Sequence, residues 1–180
     1  MARSRTGDRK APIARSAQED LPSSRPSLAS ATLPRVWQGV GYRPLPDPAA
    51  ARPLFDFAAV PWPDGGDIAF GWGAWRPTGT ASAQGAAERL VGTVLAETSG
   101  RATMLRGPVV IDDGALEIAA QLVAAGLDHA AAAGAETIFT RPQGLDRVWV
   151  RFGFIPLPES TLPAGLAGRP GSGLYAWRGG

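Results

Sequence analysis

Residues 90–156 constrain the fold of this chain more tightly than any other part. Leu90–Thr98 alternates with the two-residue period of a half-buried strand, and Thr103–Ile111 repeats that character. Thr98-Ser99-Gly100-Arg101 between them is turn chemistry, which predicts an antiparallel hairpin. Gly107-Pro108 interrupts the second strand. Proline has no N–H to give to a ladder, so the pair marks a bulge or the point where neighbouring strands part. An Ala-rich helix follows over Ala115–Ala133, then Gly134 and a short strand, Glu136–Thr140. A helical crossover of that length places Glu136–Thr140 parallel to Thr103–Ile111 in one sheet. A short helix closes on Arg151-Phe152-Gly153-Phe154, and Phe154–Pro156 with Leu174–Trp177 supplies a last hairpin around the Gly/Pro loop Pro163–Gly173.

The upstream half is less regular. Val40–Leu45 reads as a first strand, and Asp47-Pro48 as an N-cap followed by proline at the first helical position. That helix is expected to run to about Ala59. Ile68–Trp75 reads as a strand, and Thr78–Ala87 as a loop or hairpin tip. Trp62, Trp72 and Trp75 either stack a ligand or fill a core. The expected fold is α/β (α+β), a mixed, mostly antiparallel sheet of about six or seven strands flanked by helices, over residues 35–180. Residues 1–34, rich in Ser, Arg, Pro and Ala without a period, are expected to form a disordered basic tail.

Charge and composition remove several function classes. The pI of about 9.7 belongs to one end of the chain. Residues 1–40 hold seven basic and three acidic side chains, and the remainder 11 basic and 13 acidic. A mildly acidic body is a poor platform for nucleic acid, so such a partner is expected only through the basic tail. With no cysteine and one histidine, His129, thiolate catalysis, Cys-based zinc and multi-histidine metal centres are excluded, and no metal is expected. No apolar run reaches membrane-spanning length, and no apolar stretch follows the N-terminal charges, so the expectation is a cytoplasmic protein without a membrane partner.

The strand–strand–helix–strand order, the Gly107-Pro108 break and the Gly153-Phe154 pair resemble the GNAT superfamily, the GCN5-related acyl-CoA-dependent N-acyltransferases. The whole chain most resembles the divergent GNAT-like family DUF1999, and the Gly/Pro-rich end, Pro156–Trp177, adds to that resemblance. The resemblance implies that acetyl-CoA or another acyl-CoA enters between splayed strands, and that backbone groups matching Val109, Val110 and Ile111 pair with its pantetheine amides. It implies a pyrophosphate loop Gln/Arg-x-x-Gly-x-Gly/Ala at the next helix start. Here that window is Gly114-Ala115-Leu116-Glu117-Ile118-Ala119, where only Ala119 fits and Gly114 replaces Gln or Arg. Asp112, Asp113 and Glu117 crowd a helix start that should receive a diphosphate. They also read as helix-capping acids, with Gly114 as N-cap and Glu117 three residues on.

The family's Tyr, which protonates the departing thiolate, is matched by Trp149, whose indole donates a hydrogen bond but is no acid near neutral pH. Glu97 is the candidate general base, acting on an amine through water, with a solvated strand end as its alternative role. His129 reads as an exposed or half-buried helix residue. Two functions therefore compete: an N-acyltransferase with a degenerate pyrophosphate loop and an unknown amine substrate, or a non-catalytic GNAT-fold interaction or small-ligand-binding protein that has lost CoA. A homodimer is compatible with either.

Overall fold

The computed structural model describes residues 26–63, 68–82 and 85–178. Its elements in chain order are α1 (Leu28–Ala31), β1 (Arg35–Trp37), β2 (Val40–Pro44), α2 (Arg52–Phe57), β3 (Ile68–Ser82), β4 (Gly85–Ser99), β5 (Ala102–Val110), α3 (Ala115–Ala132), β6 (Thr137–Thr140), α4 (Asp146–Arg151), β7 (Ile155–Leu157) and β8 (Leu174–Arg178). The strands form one sheet in the order β1-β2-β3-β4-β5-β6-β8-β7. Every neighbouring pair is antiparallel except β5–β6, which α3 connects. The sheet thus has eight strands, β1 being the addition to those read from the sequence.

Two further points have local causes. Thr78–Ala87, read as a loop or hairpin tip, forms the end of the β3–β4 hairpin, with Thr78 opposite Ala87 and Ser82 opposite Gly85. Residues 26–34, read as part of the tail, contain α1: the Ser27 hydroxyl accepts the Ser30 N–H, and Ala31 is buried. Residues 1–25 of that expected tail lie outside the described residues. Asp47 caps as anticipated, accepting the Ala49 N–H at 2.9 Å. It opens a 3-10 turn, Pro48–Ala51, that leads into α2.

The core lies on both faces of the sheet. On one, α3 buries Ile118, Leu122 and Gly126, spaced by four, and also Ala119 and Val123, against Val94, Ala96 and Leu105. A Cβ on Gly126 would lie 3.4 and 3.5 Å from the Leu105 methyls and 3.5 Å from Val94 Cγ1, so the backbone of α3 rides close to the sheet. On the other face, α2 packs Leu54 and Phe55 against Leu95 and Val109, while Leu166, from the long loop before β8, covers Met104 and Phe139. The tryptophans are split between the faces. Trp72 is fully buried on the α3 side, and Trp62 and Trp75 pack beside α2, so they form no joint stacking surface.

His129 is half-buried beside this core, one of the two placements expected for it. Its ring stacks on Phe70 with centroids 3.8 Å apart, and its Nδ1 accepts the Trp72 indole N–H at 3.2 Å, which fixes the Nε2–H tautomer. Among the described residues no helix is long and apolar enough to cross a membrane.

Two outcomes follow from this packing. Gly126→Ala adds a methyl at ordinary contact distance and removes a helix-interior glycine, so it should raise stability by up to about 1 kcal/mol. Gly126→Leu should lower it by about 1–3 kcal/mol through overpacking, both measured by urea unfolding. Burial holds the His129 imidazole below its ordinary value. The unfolded chain, titrating near 6.5, then takes up a proton that the folded chain refuses. Stability should therefore fall as pH drops from about 7 into the window below 6.5, and His129→Gln should flatten that part of the profile.

Candidate functional site

The feature that opens the sheet is a bulge in β5. Leu95 pairs with Arg106 and Thr93 with Val109, so between these rungs one residue on β4, Val94, is matched by two on β5. The additional chain is Gly107-Pro108, joined by a cis peptide bond. Gly107 has φ +95°, and a Cβ there would stand 2.9 Å from Val109 N and 3.2 Å from Thr93 O. Only glycine fits such a backbone without displacement. On its other edge β5 pairs with β6 from Ala102 opposite Thr137 to Leu105 opposite Thr140. There the ladder stops, while β5 continues to Val110 against β4. The Thr140 hydroxyl donates to the Leu105 carbonyl at the last rung. Beyond it the backbone from Arg106 to Val110 has no β6 partner, and the two parallel strands make a fork.

Val109, Val110 and Ile111 line the free arm of this fork, and their side chains are occupied in packing: Val109 is buried with the α2 cluster, Val110 packs toward α3, and Ile111 toward α2. Their backbone is what the fork can use. The Ile111 N–H is already given to the Val91 carbonyl at 2.8 Å.

At the end of β5 the chain turns into α3. Gly114 stands before the first helical residue and has no side chain to cap with. The cap comes from Asp112, whose Oδ1 accepts the Gly114 N–H at 3.0 Å. Asp112 is also gripped by Arg76 of β3, Nε to Oδ2 at 2.7 Å and Nη2 to Oδ1 at 2.9 Å. The Arg76 guanidinium and then the Gly114 N–H hold the Asp112 carboxyl below its usual range. Asp112 is therefore neutralised rather than free to repel an anion, unlike the exposed Asp113 and Glu117. Arg76 also lies against the helix start: its Nη2 is 3.6 Å from where a Gly114 Cβ would be. Gly114, Arg76, Ile118, Glu117, Tyr42 and the β1–β2 turn line a pocket of about 190 Å³. The buried Tyr42 hydroxyl has no partner among the described residues, and burial raises its pKa above the usual tyrosine value. Ala119 lies inside, fully buried against the sheet, so it contributes packing and no ligand contact.

A larger groove of about 670 Å³ crosses the outer side of α3 and is walled by Gln121, Arg147, Arg151 and Phe152 among others. Trp149 is fully buried on α4 with its ring edge-on to Phe154, and its Nε1–H has no partner among the described residues.

Glu97 is not at a solvated strand end. It is 1 % exposed. Its carboxylate accepts Arg169 Nε at 2.9 and 3.2 Å, and Arg106 Nε stands 4.0 Å away. It lies with Leu95 on the sheet face opposite α3, so the structure does not bring it together with Gly114 and Ala119. A carboxylate sealed from water and held by a guanidinium has no route for relaying a proton. Arg106 and Arg141, which the sequence reading passed over, complete this cluster. A charge inside an otherwise apolar strand was the available signal for Arg106. Arg76 gave none, being 36 residues from its partner in sequence. Among the described residues no group of three or more His, Asp or Glu side chains is placed to hold a metal.

No family model matches this chain, and no curated protein matches it. Among solved structures it is similar to a GNAT-family acetyltransferase from Staphylococcus aureus at 12 % identity and a TM-score of 0.53, over 76 % of this chain and 98 % of that one. It is also similar to a probable GNAT-family acetyltransferase from Chromobacterium violaceum at 15 % identity and 0.47, over 82 % and 91 %. A third is the Escherichia coli GNAT-family N-acetyltransferase YhbS in complex with CoA, at 21 % and 0.45, over 72 % and 67 %. The fold is that of the GNAT acetyltransferases.

The fork depends on the bulge, and the bulge on Gly107. Gly107→Ala should cost about 2 kcal/mol or more, from its left-handed backbone and the 2.9 Å approach to Val109 N, read as a lowered denaturation midpoint.

Proposed function

We propose that this chain is an acyl-CoA-dependent N-acyltransferase whose pyrophosphate loop is degenerate. The observation that carries the reading is the fork: parallel strands that part after Leu105 and Thr140 beside a glycine-enforced bulge, in a sheet of GNAT order. An unpartnered strand edge is a template for an extended amide-containing ligand. The backbone of Val109–Ile111 would hold the pantetheine amides, and the first-turn N–H groups of α3 with Arg76 would meet the diphosphate. Bound acyl-CoA supplies a thioester activated toward an amine.

The chain's own residues orient the reactants rather than move protons. The Trp149 N–H is a donor that cannot transfer its proton near neutral pH. The sealed Glu97 serves to position Arg169 and Arg106. Glu117 and Asp113 face the entrance and oppose a diphosphate, which makes affinity weak. Membership of the DUF1999 group belongs to the same reading and rests on the resemblance alone, whereas a cytoplasmic location rests on composition and a homodimer is compatible with either function.

The competing reading is a GNAT-fold protein that binds a small ligand or partner and has lost CoA. Trp149 and the acidic helix start favour it. Calorimetry with acetyl-CoA separates the two. Glu117→Gln removes one opposing charge without a helix-breaking glycine and should tighten acetyl-CoA binding by about tenfold or less, since surface charges are screened. No heat from either the wild type or the variant at millimolar acetyl-CoA would end the acyltransferase reading and leave the other.

A further inference from the structure

Where β5 and β6 part, the next residue on each arm is an arginine. Leu105 faces Thr140 on the last rung, and Arg106 and Arg141 follow. The register sends both side chains to the face away from α3, in line with Met104 and Phe139. Like charges at facing positions repel, and here both are buried, with side chains 2 % and 9 % exposed.

Their partners are unequal. Arg141 is answered by Glu159, Nη1 to Oε1 at 2.7 Å with a second bond from Nη2. Arg169 is answered by Glu97. Arg106 is answered least: its hydrogen bond runs from Nη1 to the Pro170 carbonyl at 3.3 Å, and its ion-pair contact is the Glu97 carboxylate, which is shared with Arg169 and stands 4.0 Å from Nε. Among the described residues Arg106 Nε and Nη2 have no partner, and neither has Arg141 Nε. Burial, reinforced by Arg169 and Arg141 and opposed by Glu97, holds the Arg106 guanidinium below the usual arginine range. Three guanidiniums thus face two carboxylates, and the least-answered charge is the most buried one.

The free nitrogens also have a shape. Nε and Nη2 form the edge of the guanidinium whose two N–H bonds run parallel, the geometry that takes both oxygens of a carboxylate. Arg76 uses the same edge on Asp112. The Pro170 carbonyl occupies Nη1 and leaves that edge alone. The segment around it packs tightly, since a Cβ on Gly171 would fall 2.4 Å from Arg141 Cβ.

We propose that Arg106, backed by Arg141, is a binding site for a substrate carboxylate at the root of the fork. Resting on the acyltransferase reading, this makes one substrate acidic: either the amine acceptor is an amino acid, or the acyl group is that of a dicarboxylic acid. Glu97 and Arg169 hold Arg106 in place, and the ligand carboxylate supplies the missing negative charge.

The test uses the full chain and reads binding, not turnover. Thermal shift and calorimetry are run with glycine, glycinamide and acetate, and with succinyl-CoA against acetyl-CoA. Wild type is expected to respond to glycine and acetate but not to glycinamide, or to bind succinyl-CoA more tightly than acetyl-CoA. The first result puts the carboxylate on the acceptor and the second on the acyl group. Arg106→Met keeps the side-chain volume and removes an incompletely paired buried charge, so its ligand-free Tm should be unchanged or higher. Its carboxylate response should fall by at least about tenfold, and Arg106→Lys, which keeps the charge and loses the fork of donors, should show a comparable loss. Equal responses to glycine and glycinamide with no preference for succinyl-CoA would overturn the site. So would a drop of many degrees in the ligand-free Tm of both variants, which would make Arg106 a structural partner of Glu97. Carboxylate binding that persists without any acyl-CoA binding would sink the acyltransferase reading and leave this site standing.

Discussion

The parting of β5 from β6 is the constraint on which the rest of this structure depends. A parallel pair joined by one helical crossover would ordinarily zip along its whole length, because each rung satisfies backbone groups that water would otherwise have to meet. Here the ladder ends at Leu105 and Thr140, although β5 runs on to Val110. The bulge at Gly107-Pro108 turns the strand, and the helix that follows leaves the edge open. Gly107 takes a backbone conformation and a closeness to Thr93 O that any side chain would disturb. One residue without a Cβ thus separates a closed sheet from a sheet with a slot in it.

The two faces of the sheet divide the work on either side of that slot. On the α3 face the packing is apolar and close, down to Gly126 against Leu105, and it carries polar atoms but no buried charge, as in the Trp72–His129 bond. On the opposite face the apolar clusters under α2 and under Leu166 are separated by Arg106 and its ionic neighbours. A sheet optimised for stability alone would place an aliphatic side chain there, since burying a charge without full compensation is unfavourable. The charge is a local conflict with the packing around it, and such conflicts concentrate where a protein does chemistry or binding.

Electrostatics at the start of α3 is set by a residue distant in sequence. Arg76 from β3 brings a guanidinium nitrogen to 3.6 Å from where a Gly114 Cβ would stand. Asp112, which in sequence adds to a repulsive cluster, caps Gly114 and is neutralised by Arg76. Two exposed acids remain, Asp113 and Glu117.

Periodicity and punctuation made the central elements legible from residues alone. The alternation of Leu90–Thr98 and Thr103–Ile111, the glycine–proline break and the Ala-rich helix are local signals, and local signals specify local structure. Their order then restricts the topology, because a single crossover makes a parallel pair. Whether Thr78–Ala87 was a loop or a hairpin tip stayed open in that reading, because its small polar residues carry no period, and only pairing makes Thr78 and Ala87 partners. The burial of Glu97 also escaped it, since whether a strand-end carboxylate meets water is decided by Arg169, 72 residues away in the chain. Arg76 on Asp112 and Arg106 beside Arg141 likewise join residues whose sequence separation carries no information about distance. The sequence by itself determined the central strands and helices, from Leu90 to Thr140, and where the sheet must break. The tertiary structure decided which charges are paired, which are buried and which one is left over, because solvation and ion pairing depend on positions in space and not on neighbours in the chain.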